Sequence, residues 1–298
     1  MADPMIKKVD QVAMVVQDAK SMMHFFSDVF GVGPWTWLKF GDQGDGKDDW
    51  ALIEDCVCEG EYIGTYSIDC CCCSMPNGVE IEIIGPHTGS SIFARYLERH
   101  GAGMQHISIV QDDFDQSIAR MKEAGFEEGQ LATVATEETC AFVNHLSVLG
   151  TYLELHKRPP VLTPVTVAGY VPGPDENTKP AKAPVFSQVE QVTIVTADID
   201  ASIRVLEGAY GLGPWERSED ARAKKAVCSS LNLTFILETP LDENSNAYQR
   251  LQKYGTDIRS MGIRVAGEIP DGVEVKDMDG ARCIDFTDTL GITAELLV

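Results

Sequence analysis

The sequence predicts an α+β chain of two tandem domains, each made of two related modules in which a strand and a helix are followed by further strands. Three observations predict it. Residues 9–35 (VDQVAMVVQDAKSMMHFFSDVFGVGPW) recur as 189–215 (VEQVTIVTADIDASIRVLEGAYGLGPW) at a constant offset of 180, with nine of 27 positions identical. Within the first copy, residues 10–15 pair with 105–110 at an offset of 95, so that Gln11 falls on His106 and Asp18 on Asp113. Between the copies, residues 158–186 hold seven of the 14 prolines, a density that reads as a stiff, extended linker. The predicted domains are therefore 1–157 and 187–298, with the linker at 158–186. An internal repeat decides architecture before any single residue does.

Each module opens on an apolar strand carrying one polar residue, Gln11 in the first and His106 in the second. The strand is followed by a helix whose predicted N-cap is Asp18 and whose predicted stop is Gly31. Met22, Phe25, Phe26 and Val29 fall at helical spacing and predict its apolar face. Each module closes on a strand with a carboxylate between apolar residues, Ile81-Glu82-Ile83 and Leu153-Glu154-Leu155.

Composition narrows the function. At 298 residues the chain can bury a core in each domain. A formal charge of -22 excludes the basic footprint that nucleic acid or an anionic membrane requires. No apolar run approaches the roughly 20 residues of a membrane-spanning helix, and the N-terminus, MADPMIKKVDQ, lacks the apolar stretch of a secretory signal. The cytoplasm is the expected compartment. The nine cysteines are odd in number and four are adjacent, Cys70 to Cys73, which argues against a disulfide framework. A strand would send those four to alternate faces, so they cannot converge on one tetrahedral zinc. They are expected to be buried, reduced thiols acting as small hydrophobes, and Cys56 and Cys58 likewise.

If the two modules of the first domain pair about a pseudo-twofold axis, Gln11, Glu82, His106 and Glu154 converge from two sheets. Taken singly, each reads as well as a solvent-facing carboxylate or a satisfied core histidine. Four at matching positions of a double repeat read as a metal site. An amide oxygen, two carboxylates and an imidazole suit a borderline divalent ion, Zn²⁺, Co²⁺, Ni²⁺ or Mn²⁺, and leave positions for substrate oxygens.

These residues resemble the vicinal oxygen chelate superfamily, which includes glyoxalase I, methylmalonyl-CoA epimerase, extradiol dioxygenases and bleomycin-resistance proteins. The resemblance implies paired βαβββ modules around a metal, with ligand positions falling on Gln11, Glu82, His106 and Glu154. The nearest local likeness is to methylmalonyl-CoA epimerase: Glu82-Ile-Ile-Gly-Pro86, the stretch SIFARYLERHG at 91–101, and Gly103-Met-Gln-His-Ile107 follow that family's order. Epimerases usually carry His where this chain has Gln11. Glyoxalase I holds glutathione with an Arg and an Asn where this chain has Val15 and Pro86. Extradiol dioxygenases need two histidines and a carboxylate, and the four positions offer one histidine.

The second domain keeps Gln191 and Glu295 but places Ile236 and Ser260 where the first has Glu82 and His106. It is expected to be a metal-free partner. The first domain is then expected to be a metal-dependent isomerase, epimerase or lyase that removes a proton beside a carbonyl, with Glu154 as the first choice of base and Glu82 as the other. The substrate class is a small carbonyl compound or thioester. The alternatives are a glyoxalase I-like lyase and a non-enzymatic small-molecule binder, in which Trp35, Trp37 and Trp50 stack on the ligand instead of filling the core. Arg95, Arg99, Arg120 and Lys122 are candidates for holding acyl-CoA phosphates. Pairing of the domains within one chain and pairing in a homodimer both satisfy the repeat.

Overall fold

The structure, a computed structural model, describes residues 5–41, 53–134, 138–157 and 183–298. Trp50 and the body of the Pro-rich segment, 158–182, lie outside the described residues. Two curled mixed sheets carry the chain. The first contains β1 (Lys8–Val15), β2 (Thr36–Phe40), β3 (Ile53–Cys58), β4 (Glu61–Gly64), β5 (Ser67–Ser74), β6 (Glu80–Thr88), β7 (Gly103–Val110), β8 (Glu128–Val134), β9 (Glu138–His145) and β10 (Thr151–Lys157). Its helices are α1 (Ala19–Phe30), α2 (Ile92–His100), α3 (Phe114–Glu123) and the single turn α4 (Leu146–Leu149). Its strand order is β2-β5-β6-β1-β7-β10-β9-β8-β3-β4. Two βαβββ units, β1-α1-β2-β5-β6 and β7-α3-β8-β9-β10, therefore meet where β1 pairs with β7. The β3–β4 hairpin is an insertion that extends the far edge.

The second sheet repeats the plan with β11 (Phe186–Val195), β12 (Glu216–Glu219), β13 (Ala223–Cys228), β14 (Thr234–Pro240), β15 (Asp257–Val265), β16 (Lys276–Met278), β17 (Ala281–Phe286) and β18 (Ile292–Leu297). Helices α5 (Ile199–Tyr210), α6 (Asn246–Tyr254) and the turn α7 (Thr287–Leu290) accompany it. The order β12-β13-β14-β11-β15-β18-β17-β16 again centres on the two opening strands. Its second module joins β15 to β16 by irregular chain where the other three modules carry a helix.

The start and stop of α1 are as the sequence predicts: Asp18 accepts from Ser21 N, and Gly31 ends the helix at φ 65. Its apolar face is so only in part: Phe26 is buried, and Met22 and Val29 pack against the core. Ala19, Met23, Phe26 and Phe30 are the buried stripe, whereas Phe25 is 37% exposed and Met22 and Val29 are half-buried. Two apolar stripes overlap on this helix, and the sheet takes the one that begins on the N-terminal turn. Trp35 is buried and donates to Val32 O at 2.7 Å; its repeat, Trp215, donates to Leu212 O at 2.8 Å. Trp37 is buried and donates to Asp69. Both tryptophans of β2 and its approach are structural, which removes the stacking role considered for them.

The principal core draws on both sheets together with α1 and α5. Phe30 of α1 stacks on Phe186 of β11 with ring centroids 4.6 Å apart. Asn77 donates to Val189 O and Asn232 donates to Val9 O, so the two copies clamp each other's opening strands through matching amides. The tightest approaches are also reciprocal. A Cβ on Gly150 would lie 2.2 Å from Asp257 Cα, and one on Gly291 would lie 1.7 Å from Ala102 O. Gly291→Ala is therefore expected to cost about 2–4 kcal/mol, from overpacking added to its left-handed φ of 67. Urea unfolding of the variant measures the loss, and a value no larger than the roughly 1–2 kcal/mol of the left-handed backbone alone would disprove the close-contact argument.

His145 ties α4 to the second domain. Its Nδ1–H donates to Val143 O at 3.0 Å, its Nε2 accepts from the Tyr210 hydroxyl, and its ring stacks on Phe126. Burial lowers its pKa to about 4. The folded state thus binds fewer protons than the unfolded state between pH 6.5 and 4. Stability is present above pH 6.5, declines as pH falls through that window and is fully lost below it. A shift of that size amounts to about 3 kcal/mol. His145→Gln is expected to flatten the pH dependence of the urea midpoint across that window. A wild-type slope no steeper than the variant's would exclude this role.

Candidate active site

Strand register decides which side chains meet. Directly opposed residues in neighbouring strands share a face, as do residues two apart in one strand. Ala13 of β1 lies opposite Glu82 of β6 and opposite His106 of β7. Gln11 is two residues before Ala13, and Glu154 of β10 lies opposite Ser108, two residues after His106. Gln11, Glu82, His106 and Glu154 therefore stand on one concave face, around the small Ala13. All four line a cavity of about 390 Å³ inside the first sheet.

Glu82 Oε2 is 3.1 Å and Glu154 Oε2 3.3 Å from His106 Nε2. Gln11 stands at the rim, with its Nε2 donating to Glu80 at 2.6 Å; that bond uses the nitrogen and not the oxygen that a cation takes. His106 Nδ1 is held by Gln105 Oε1 at 2.7 Å, which leaves Nε2 as the atom directed at the carboxylates. Consecutive residues of a strand ordinarily face opposite ways. A β-bulge removes the difficulty: Ala13 pairs with His106 and Met14 with Met104, so Gln105 is the extra residue and reaches the same side as His106.

Four side chains outside the sequence-predicted set also reach the site. His156, two residues after Glu154, places Nε2 3.2 Å from Glu154 Oε2. Cys70 and Cys72 line the cavity, whereas Cys71 and Cys73 lie in the apolar core. The expectation that all four adjacent thiols are core filler is thus corrected for two of them. Period-two alternation along β10 and β5 was the available signal in each case. Cys140 of β9, opposite His156, is on the same wall.

Burial opposes the charged form of His106, but Glu154 and Glu82 override it and raise its pKa to about 9. Burial likewise opposes ionisation of Glu154, and the two imidazoles, His156 and His106, outweigh it and hold the carboxyl well below the usual range. Glu80, Glu82 and Glu154 line the cavity, with no Lys or Arg among the described lining residues. Elsewhere the wall is apolar, from Leu38, Phe40, Ile53, Ile68, Phe93 and Phe142.

The donor set fits a divalent ion. His106 Nε2 and Glu154 Oε2 are buried and complete no hydrogen bond of acceptable angle despite their proximity. Ligand atoms about 2.0–2.2 Å from one ion at right or tetrahedral angles lie about 3.0–3.5 Å apart, the spacing of each carboxylate oxygen from His106 Nε2.

The second sheet shows the same positions closed. Gln191 donates to Glu295 at 3.0 Å and Ser260 Oγ donates to it at 2.6 Å. Arg259, the bulge residue equivalent to Gln105, lies 3.1 Å from Glu238 and 3.2 Å from Glu295. Its guanidinium supplies the positive charge inside this barrel. Gly262 explains the different path of the glutamine: a Cβ there would lie 2.1 Å from Gln191 Cγ. The first sheet has Ser108 at that place, and Gln11 turns to Glu80 instead.

Residues 10–142 match the model of the Glyoxalase/Bleomycin resistance protein/Dioxygenase superfamily. This region is a domain of that superfamily. The fold of the whole chain agrees with it. A mutant 4-hydroxymandelate synthase from Streptomyces coelicolor is similar to the superfamily domain and its repeat together, at TM-score 0.57 and 16% identity, covering 88% of this chain and 72% of that one. A fusion protein of a xylose isomerase-like TIM barrel with a 4-hydroxyphenylpyruvate dioxygenase gives 0.50 and 7%, with 89% of this chain but 37% of that one covered. Methylmalonyl-CoA epimerase from Mycobacterium tuberculosis gives 24% identity over 38% of this chain and 87% of its own, at TM-score 0.31. No curated protein sequence matches the chain significantly.

Proposed function

We propose that the first domain is a metal-dependent isomerase, epimerase or lyase acting on a carbon made acidic by a neighbouring carbonyl, with the second domain as its metal-free partner. The convergence of Glu82, His106 and Glu154 at 3.1 and 3.3 Å in an apolar cavity carries this reading. Gln11, Glu82, His106 and Glu154 would hold a divalent ion, Zn²⁺, Co²⁺, Ni²⁺ or Mn²⁺. Such an ion supplies Lewis-acid stabilisation of the oxygen that gains charge when the proton leaves. Glu154 removes the proton, and Glu82, on the other side of His106, is placed to return one to the opposite face. His156 contacts Glu154 and keeps its carboxylate ionised between turnovers. The apolar wall excludes water from the reacting carbon and selects a substrate with an aliphatic or aromatic substituent.

The acyl-CoA form of this reading loses a support. Arg95 and Arg99 are ion-paired with Glu59 and Glu61 of the β3–β4 hairpin, and Lys122 with Glu128. They are not a free cradle for phosphates. A compact 2-substituted carbonyl acid, whose own oxygens would reach the ion, is the substrate class that needs no phosphate cradle. The test is hydrogen–deuterium exchange into a panel of such acids, 2-substituted acyl-CoAs and hemithioacetals, with metal content measured on the same sample. Stoichiometric metal with exchange into one class supports the enzyme; ligand binding without metal or exchange supports the sequestering protein instead. His156 favours one further reading. With His106 and Glu154 it makes two imidazoles and a carboxylate, a set suited to Fe(II) and O₂, and substrate-dependent oxygen uptake by the Fe(II)-loaded protein would select it.

A further inference from the structure

Glu82 faces two groups of donors with its two oxygens. Oε2 is 3.1 Å from His106 Nε2. Oε1 accepts from Cys70 Sγ at 2.9 Å and lies 4.0 Å from Cys72 Sγ, and the two sulfurs are 3.4 Å apart. Register produces this grouping, because Cys72 of β5 lies opposite Glu82, and Cys70 lies opposite Ile84, two residues along β6. All three side chains line the cavity. The other two thiols of the run, Cys71 and Cys73, are directed into the apolar core.

We propose that Cys70, Cys72 and Glu82 form a second metal site, for a thiophilic divalent ion such as Zn²⁺, joined to the central site by the Glu82 carboxylate. Two thiolates and a carboxylate oxygen are a donor set that selects such an ion over Mg²⁺ or Ca²⁺. Sulfurs about 2.3 Å from one zinc at tetrahedral angles lie about 3.7 Å apart, close to the separation here. Cys72 is half-buried on the cavity wall, so an ion can enter from the pocket. The site stands beside the proposed proton-transfer centre and shares one residue with it; its test separates the two.

Cd²⁺ titration of the reduced protein reads both sites, by metal analysis for stoichiometry and by ultraviolet thiolate-to-cadmium charge transfer for the sulfur site. Wild type is expected to bind two equivalents and develop the band. The Cys70→Ser/Cys72→Ser protein, and the corresponding double alanine variant should serine disturb folding, is expected to bind one equivalent without the band. Cys140→Ser is expected to keep the band. His106→Ala is expected to lose the other equivalent and keep the band. No band in wild type, a band that survives loss of both cysteines, or loss of both equivalents with them overturns the proposal. An unchanged stoichiometry in His106→Ala counts against the central site alone.

Discussion

Glu154→Gln is expected to lower proton exchange into substrate by about 10²–10⁴-fold, the range a positioned general base supplies. The amide keeps the shape of the carboxylate and an oxygen donor, so the metal content of the purified variant is expected to stay near that of wild type. His156 and His106 hold the Glu154 carboxyl well below its usual range, so the group proposed as the base is ionised across the physiological range. Removal of His156 tests the same point from the other side. His156→Phe is expected to move the acid limb of the exchange profile upward while leaving the plateau largely in place. Exchange by Glu154→Gln at the wild-type rate would exclude Glu154 as the base and transfer the role to Glu82.

Arg259→Met is expected to destabilise the protein by about 3–5 kcal/mol, the loss that follows when one member of a buried ionic cluster is removed and its partners stay charged. Burial opposes the charge on Arg259, but Glu238 and Glu295 outweigh it and raise its pKa above the ordinary value. Lys225, 3.6 Å from Glu238, and the donors Gln191 and Ser260 compensate only part of what remains. Arg259→Met combined with Glu238→Gln and Glu295→Gln removes the stranded charges as well, and is expected to recover most of the loss. Urea unfolding of the four-member set reads the coupling directly. A single-variant loss under about 1 kcal/mol, the value of an exposed pair, would refute the view that this arginine stands in for a cation.

The contrast between the two copies follows from a few substitutions. Glu82 becomes Ile236, His106 becomes Ser260, Ser108 becomes Gly262 and Gln105 becomes Arg259, each at the same register position. Two of the proposed ion's donors are absent, the glutamine is released to lie across the glycine, and the bulge residue brings a guanidinium to the retained glutamate. The second barrel thus carries a fixed positive charge where the first is proposed to take up an ion.

Much of this was legible in the sequence for a physical reason. Side chains alternate with period two along a strand, and modules related by a constant offset place equivalent residues on equivalent faces. The offset of 95 was enough to put Gln11 and His106 on one wall, and the matched closing strands were enough to add Glu82 and Glu154. The same alternation should have brought in His156, two residues from Glu154, and divided Cys70 and Cys72 from Cys71 and Cys73. Helical periodicity served less well on α1, where two apolar stripes overlap and only the packed sheet chooses between them.

The duplicated α+β architecture, the caps of α1 and the common face of Gln11, Glu82, His106 and Glu154 follow from repeats and periodicities, which are properties of local chain geometry. The turn of Gln105 toward His106 at the bulge, the division of the Glu82 oxygens between an imidazole and two thiols, and the place of Arg259 in the second barrel emerge only when the chain folds. Those outcomes depend on distances between strands remote in the chain and on the cost of burying charge without a partner, neither of which any single segment carries.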